Sequence, residues 1–164
     1  MKSHSSRVVT IGVYGTTEDS FFDALTANGV TDFVDIRRRR GMRGSLYSYA
    51  NATKLQTKLK DLCIRYHHVL ALAPTAETRA LQKEDDSGQG IAKSARTTLS
   101  NGFIQGYRSE ALDVFDLAAF LDSLPEDSVA AFFCVEHLPE ACHRSLVAAE
   151  AEKLRKEKVQ DITP

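Results

Sequence analysis

One stretch, residues 130–145, restricts this chain more than any other. Ala130, Ala131, Phe132 and Phe133 form an apolar, aromatic run that reads as a buried strand. Cys134, Glu136 and His137 then bring a thiol, a carboxylate and an imidazole to its end. Pro139 cannot donate to a sheet ladder and marks a turn. Cys142, His143, Arg144 and Ser145 follow, opening a helix expected over about 142–156 with Leu146, Val147 and Leu154 inward. A strand end facing a helix start is where open α/β sheets place their ligands. Free backbone N–H groups at such a start favour anions. His143 and Arg144 add side-chain donors, so the stretch is expected to hold a phosphate or carboxylate group.

The rest of the chain alternates strand and helix patterns around it. Residues 8–14 are β-branched and apolar, a buried strand. Thr17 is placed to cap a helix through Phe21, Phe22 and Leu25, which Asn28-Gly29 ends. Residues 31–36 make a second strand, giving a parallel βαβ unit. Asn51 caps a helix over about 52–63 with Leu55, Leu59 and Leu62 inward, and residues 64–69 form a third strand. Thr75 caps a further helix of modest length, and residues 84–90 read as the most loop-like segment. Apolar residues from Phe103 to Leu121 make one or two amphipathic helices, 128–134 a fourth strand, and 159–162 a final edge strand. The expected fold is α/β: one three-layer domain over 1–164 with a mostly parallel sheet of about five strands flanked by helices.

Composition narrows the function classes. The net charge is −1, so no global field recruits nucleic acid and any basic patch must be local. No apolar run is long enough to cross a membrane. The start of the chain lacks the apolar stretch and cleavage site of a signal peptide. Three cysteines cannot all pair within one chain, which suits a reducing, cytoplasmic setting.

Several residues carry candidate chemistry. Cys134 is the candidate nucleophile; the alternative is that it fills the sheet core, where cysteine is common. An arginine six positions later, as in a phosphatase loop, is absent, since Glu140 stands there. His143 is the candidate acid or base, and Glu136 either a base or a partner for Arg144 or His143. Cys134, His137, Cys142 and His143 are ligand types that zinc accepts. Cys142 and His143 are adjacent, however, and adjacent side chains on a helix point apart, so neither metal nor cofactor is expected. Asp35 and Arg37 lie two residues apart and can face one side. Arg37 either clamps an anion through two parallel hydrogen bonds or pairs with Asp35. Arg43, with Arg38, Arg39 and Arg40, is either a solvated loop or, beside Tyr47 and Tyr49, a surface for nucleobases. Lys93, Arg96, Thr97 and Thr98 form another basic-and-hydroxyl cluster, and His67 and His68 read as satisfied rather than catalytic. Asp35, Arg37, Arg43, Cys142 and Arg144 make up the expected ligand-binding set, and His143, Glu136 and Cys134 the catalytic one.

The pattern Cys134-x-Glu136-x-x-Pro139-Glu140-x-Cys142-His143-Arg144, followed by Ser145-Leu146, resembles the DUF488 family. Thr10-Ile11-Gly12, Val34-Asp35-Ile36-Arg37, the Gly41-Met42-Arg43-Gly44 loop with Ala50-Asn51, and Leu72-Ala73-Pro74-Thr75 extend the likeness over nearly the whole chain. The resemblance implies an α/β fold that brings the Asp35/Arg37 and Cys142/His143/Arg144 ends together; it implies no particular reaction. Val13-Tyr14 stands where many members have His-Ser, and Ala71 where an acidic residue is common. A fainter likeness to rhodanese-type domains rests on Asp-x-Arg after an early strand and a cysteine at a later strand's end. The expected function is binding, and processing, of a phosphate-bearing small molecule or nucleic acid. The alternatives are sulfur transfer through Cys134, or a non-catalytic anion- or nucleic-acid-binding module built on the 37–43 loop.

Overall fold

The computed structural model describes residues 6–90 and 98–164. The N-terminal residues 1–5 and the cluster of Lys93, Arg96 and Thr97 lie outside the described residues. Five strands form one sheet: β1 (Arg7–Ile11), β2 (Asp32–Asp35), β3 (Arg65–His68), β4 (Val129–Phe133) and β5 (Gln160–Ile162). Their order is β3-β2-β4-β1-β5, and every pairing is parallel. A parallel sheet needs both faces covered. Six α-helices among the described residues cover them, namely α1 (Glu18–Ala27), α2 (Ala52–Asp61), α3 (Ala76–Gly88), α4 (Asn101–Tyr107), α5 (Leu117–Ser123) and α6 (Arg144–Arg155). The expected three-layer α/β fold is what forms. None of these helices is long and apolar enough to cross a membrane.

The alternation of side chains along β4 divides the core in two. Ala131 and Phe133 face α1 and α2, packing with Val9, Ile11, Phe33, Phe21, Leu25, Leu55 and Leu59. Ala130 and Phe132 face the other layer, with Val8, Val34, Tyr107, Leu121, Val147 and Ala151. Phe133 is the aromatic hub of the first core, with ring centroids 5.0 Å from Phe33 and 5.6 Å from Phe21. The chain leaves β2 toward α2 on one face and leaves β4 toward α6 on the other. The loops therefore part above the C-terminal ends of β2 and β4, the crevice in which such sheets hold ligands.

Local signals explain most boundaries. Thr17 and Ser20 form a reciprocal capping box at α1. Thr75 Oγ1 caps α3 by accepting from the Thr78 N–H. Asn51 precedes α2, but its side chain accepts from the Met42 N–H and so ties down the arginine loop. Three boundaries differ from expectation. Residues 84–88 continue α3, because Gln82 Nε2 donates to Asp86 Oδ1 at 2.8 Å and Gln82 Oε1 accepts from the Ser100 N–H at 2.8 Å, anchoring a polar helix face. The last helix starts at Arg144 rather than Cys142. Leu154 is on its exposed side; Val147 is turned inward as expected, and Ala151 joins it.

Asp32, fully buried at the start of β2, accepts from Arg65 at 2.8 and 2.7 Å and pairs with His67 at 2.8 Å. Burial alone would push its carboxyl up; bonds from Arg65, His67 and Thr31 outweigh that and hold it down at about 2. A carboxyl held below its ordinary value stabilises the fold above that value, and loses the contribution as pH falls through about 4 toward 2. Asp32→Asn should cost about 1–2 kcal/mol near neutrality, discounted because Arg65 is half exposed. Urea unfolding at neutral pH and below pH 3 should show the gap between the two proteins closing in acid.

Candidate functional site

Beyond Phe133 the chain stays clipped to the extension of β1. The Cys134 N–H donates to Ile11 O at 3.3 Å, and Val135 O accepts from the N–H groups of Val13 and Tyr14 at 3.3 and 2.9 Å. A short 3₁₀ turn at Pro139–Ala141 then returns the chain toward the sheet. Cys142 is extended (φ −134°, ψ 146°), whereas His143 is already helical (φ −61°, ψ −17°). This change of backbone between neighbours is what the adjacency argument lacked. The two residues do not share a helix, so both side chains turn to the same point.

That point also receives Cys134. The sulfurs of Cys134 and Cys142 each lie 3.7 Å from His143 Nδ1. Within this group the ligand atoms all fall inside 4.8 Å of one another. All three residues are buried, with exposures of 8%, 2% and 6% for Cys134, Cys142 and His143. His143 Nε2 lies 2.9 Å from Ile36 O. A carbonyl only accepts, so Nε2 carries a proton, and in the neutral ring the Nδ1 lone pair faces the sulfurs. The Tyr107 ring packs edge-on against the imidazole at 5.4 Å, and its hydroxyl donates to Leu72 O at 2.7 Å. Hydrogen bonding to Cys142 and burial push the Cys134 thiol well up. Burial acts on Cys142 in the same sense, but the Cys134 thiol, the imidazole and Arg144 outweigh it and hold Cys142 well below the ordinary thiol range. Of the two sulfurs, Cys142 is the one whose surroundings favour the thiolate.

The expected anion clamps have internal partners. Arg37 donates to both oxygens of Asp35 at 2.9 and 2.8 Å, and its guanidinium lies over the Phe133 ring at 4.7 Å. Asp35 accepts in addition from the Arg37 N–H and from the Tyr66 hydroxyl at 2.7 Å. Arg144, with no exposed surface, donates to Glu136 O, to His137 O at 3.1 Å and to Asp161 Oδ1 at 3.1 Å. Glu136 meets Arg144 through its backbone carbonyl, although the sequence pointed to its carboxylate. Arg38 donates to Pro74 O and Ala73 O. A hollow lined by Arg38, Ala71, Ala73, Thr75 and Glu110 involves neither Arg37 nor Arg144. Arg43 is exposed in the loop. His67 and His68 are satisfied by Asp32 and Arg37 O respectively. The structure thus joins Cys134, Cys142 and His143 into one cluster, with Ile36 beside it, and leaves Asp35/Arg37 and Arg144 as its braces.

Two braces carried weaker signals in the sequence. Asp161, on the final strand, accepts from Arg144 and from Thr10 Oγ1 at 2.7 Å. Gly12 leaves room for the tie: a Cβ there would lie 2.0 Å from Glu136 O and 2.9 Å from Arg144 Nη1.

A parallel α/β sheet with a buried thiol–imidazole cluster above its C-terminal edge defines the class of protein. The chain belongs to the family described as domain of unknown function DUF488, which it matches over residues 17–151. No curated protein and no solved structure matches it.

Gly12→Ala should therefore force the 134–144 segment off β1, at about 3 kcal/mol. Arg144→Ala, which removes the donor of two carbonyls and leaves Asp161 with Thr10 Oγ1 alone, should cost about 3 kcal/mol. Urea unfolding measures both. Native-state labelling should find Cys134 and Cys142 more accessible in either variant than in the parent.

Proposed function

We propose that the protein is a thiolate enzyme of the sulfur-transfer kind, with Cys142 as the reactive sulfur, Cys134 as its thiol partner and His143 holding both. The observation that carries this reading is the convergence of two buried sulfurs on one imidazole nitrogen, each at 3.7 Å, at the parting of the loops above β2 and β4. Arg144 supplies compensating positive charge from behind, and the rim of the crevice is aromatic, with Tyr14 and Tyr47 at 5.3 Å. The sulfur expected to react was Cys134; Cys142, beside His143 and Arg144 and held below the ordinary thiol range, is the one proposed here.

In the transfer, the Cys142 thiolate attacks the outer sulfur of a hydrodisulfide or thiosulfate donor. A new S–S bond forms to Cys142, the bond from that sulfur to the donor breaks, and the donor leaves with its electron pair. An acceptor thiolate then takes the outer sulfur, and the electrons of the broken S–S bond return to Cys142. A phosphate-bearing ligand is the weaker reading. Its remaining support is Arg39 and Arg43, which are exposed and make no hydrogen bond or ion pair among the described residues.

The test uses the reduced, chelator-treated full chain with Cys63→Ala. Exposure to thiosulfate or, in parallel, to a hydrodisulfide, followed by intact mass measurement, should show the gain of one sulfur atom. That gain should vanish in Cys142→Ser and persist in Cys134→Ser. A gain that survives Cys142→Ser, or no gain in the parent with either donor, overturns the assignment.

A further inference from the structure

We infer that Cys134 Sγ, Cys142 Sγ and His143 Nδ1 together form a binding site for one soft d10 metal ion, with zinc as the test case. The inference rests on the thiolate reading only in that both use the same sulfurs. A bound ion turns the nucleophile into a ligand, so metal and sulfur donor compete for one centre.

The geometry brings three soft donor atoms to one point. The Nδ1 lone pair of a neutral imidazole accepts one S–H at a time. Two sulfurs stand at the same 3.7 Å from it, so hydrogen bonding to nitrogen accounts for only one of them. A cation among the three atoms satisfies all of them at once. In a tetrahedral zinc site, with Zn–S near 2.3 Å and Zn–N near 2.0–2.1 Å, sulfur and nitrogen ligands lie about 3.6 Å apart. The three donor atoms, within 4.8 Å of one another, need only small shifts to reach that spacing.

The surroundings supply the second half of a metal site. A histidine ligand ordinarily gives its other N–H to a carbonyl or carboxylate, which fixes the ring and its tautomer. His143 Nε2 does so to Ile36 O, 107 positions away in the chain. Cys142 is fixed by its own N–H, which donates to Pro139 O at 3.0 Å, and by its carbonyl, which accepts from Ser145 Oγ at 2.8 Å. Cys134 is fixed by its N–H bond to Ile11 O. The donor set contains no oxygen, which disfavours magnesium and calcium, while thiolate and imidazole suit zinc or copper(I). Three protein ligands among the described residues leave a fourth position for water or a small ligand, the pattern of reactive zinc sites. On binding, each thiol that still holds a proton releases it to solvent.

The full-length chain with Cys63→Ala, reduced and stripped with a chelator, is titrated with zinc against a chromophoric competitor. Iodoacetamide labelling is then read by peptide mass spectrometry with and without the metal. One zinc per chain is expected, with protection of Cys134 and Cys142. Cys142→Ser and His143→Gln should each weaken binding by at least about 100-fold, more than loss of a second-shell partner. Thermal unfolding of both variants confirms that they fold; Cys134→Ser serves if either does not. Zinc binding unchanged in Cys142→Ser and Cys134→Ser, or no zinc bound at micromolar concentration, overturns the site. The two readings fail separately. No zinc but a Cys142-dependent gain of sulfur sinks the metal and leaves transfer standing. Zinc bound with no gain of sulfur in the stripped protein leaves the metal standing and sinks transfer. Neither signal sinks both.

Discussion

A single hydrogen bond across the loop-parting point, from His143 Nε2 to Ile36 O, fixes everything above the sheet. It joins the end of β2 to the start of α6, two segments that leave the sheet toward opposite faces. Without it the imidazole can rotate, and the two sulfurs lose their common neighbour. The carbonyl it uses is available because β2 ends at Asp35, so Ile36 O lies beyond the ladder. The end of pairing between β2 and β4 thus creates the acceptor on which the cluster is hung. The position that parallel topology makes open is also the position that this histidine occupies.

The arginines explain why a sequence rich in cations gives so little exposed anion-binding machinery. A guanidinium in a dry site must spend its donors on internal acceptors, or its desolvation is uncompensated. Arg37 spends them on Asp35, and Arg144 on two carbonyls and Asp161. These bonds have a mechanical consequence. Arg144 grips the chain at 136 and 137, midway between the cysteines, and ties it through Asp161 to Thr10 on β1. Both ends of the 134–142 segment are then determined, which is how nine residues with no glycine and one proline hold a pair of sulfurs in register.

The fold was legible because strand periodicity and helix caps are local. Thr17, Thr75 and the 130–134 run each speak through their immediate neighbours. The site was legible in membership and illegible in wiring. Cys134, Cys142 and His143 were named from the sequence, yet their convergence depends on Cys142 being extended and His143 helical, a break that the helical pattern of 142–156 conceals. Whether Arg37 meets Asp35 or a ligand is decided by burial against Phe133, which no spacing rule reports. Residues 84–88 looked like loop because they are polar; Gln82 and Asp86 make that polarity a packed helix face. Gly12 acts through partners more than a hundred positions away, and Asp161 joins Arg144 to Thr10, 151 positions off, beyond the reach of any local window.

Burial also decides what kind of chemistry the cluster can support. An isolated thiolate removed from water is costly, and near a sheet core it would recover its proton. Here Cys142, held below the ordinary thiol range, is flanked by an imidazole and by a guanidinium that also pairs with Asp161. The arrangement is electrically asymmetric: the guanidinium comes from α6, and one of the two sulfurs from the end of β4. An electrophile entering from the crevice side, whether the outer sulfur of a donor or a metal ion, meets a sulfur whose charge Arg144 offsets only in part. That is why the same three side chains suit both roles.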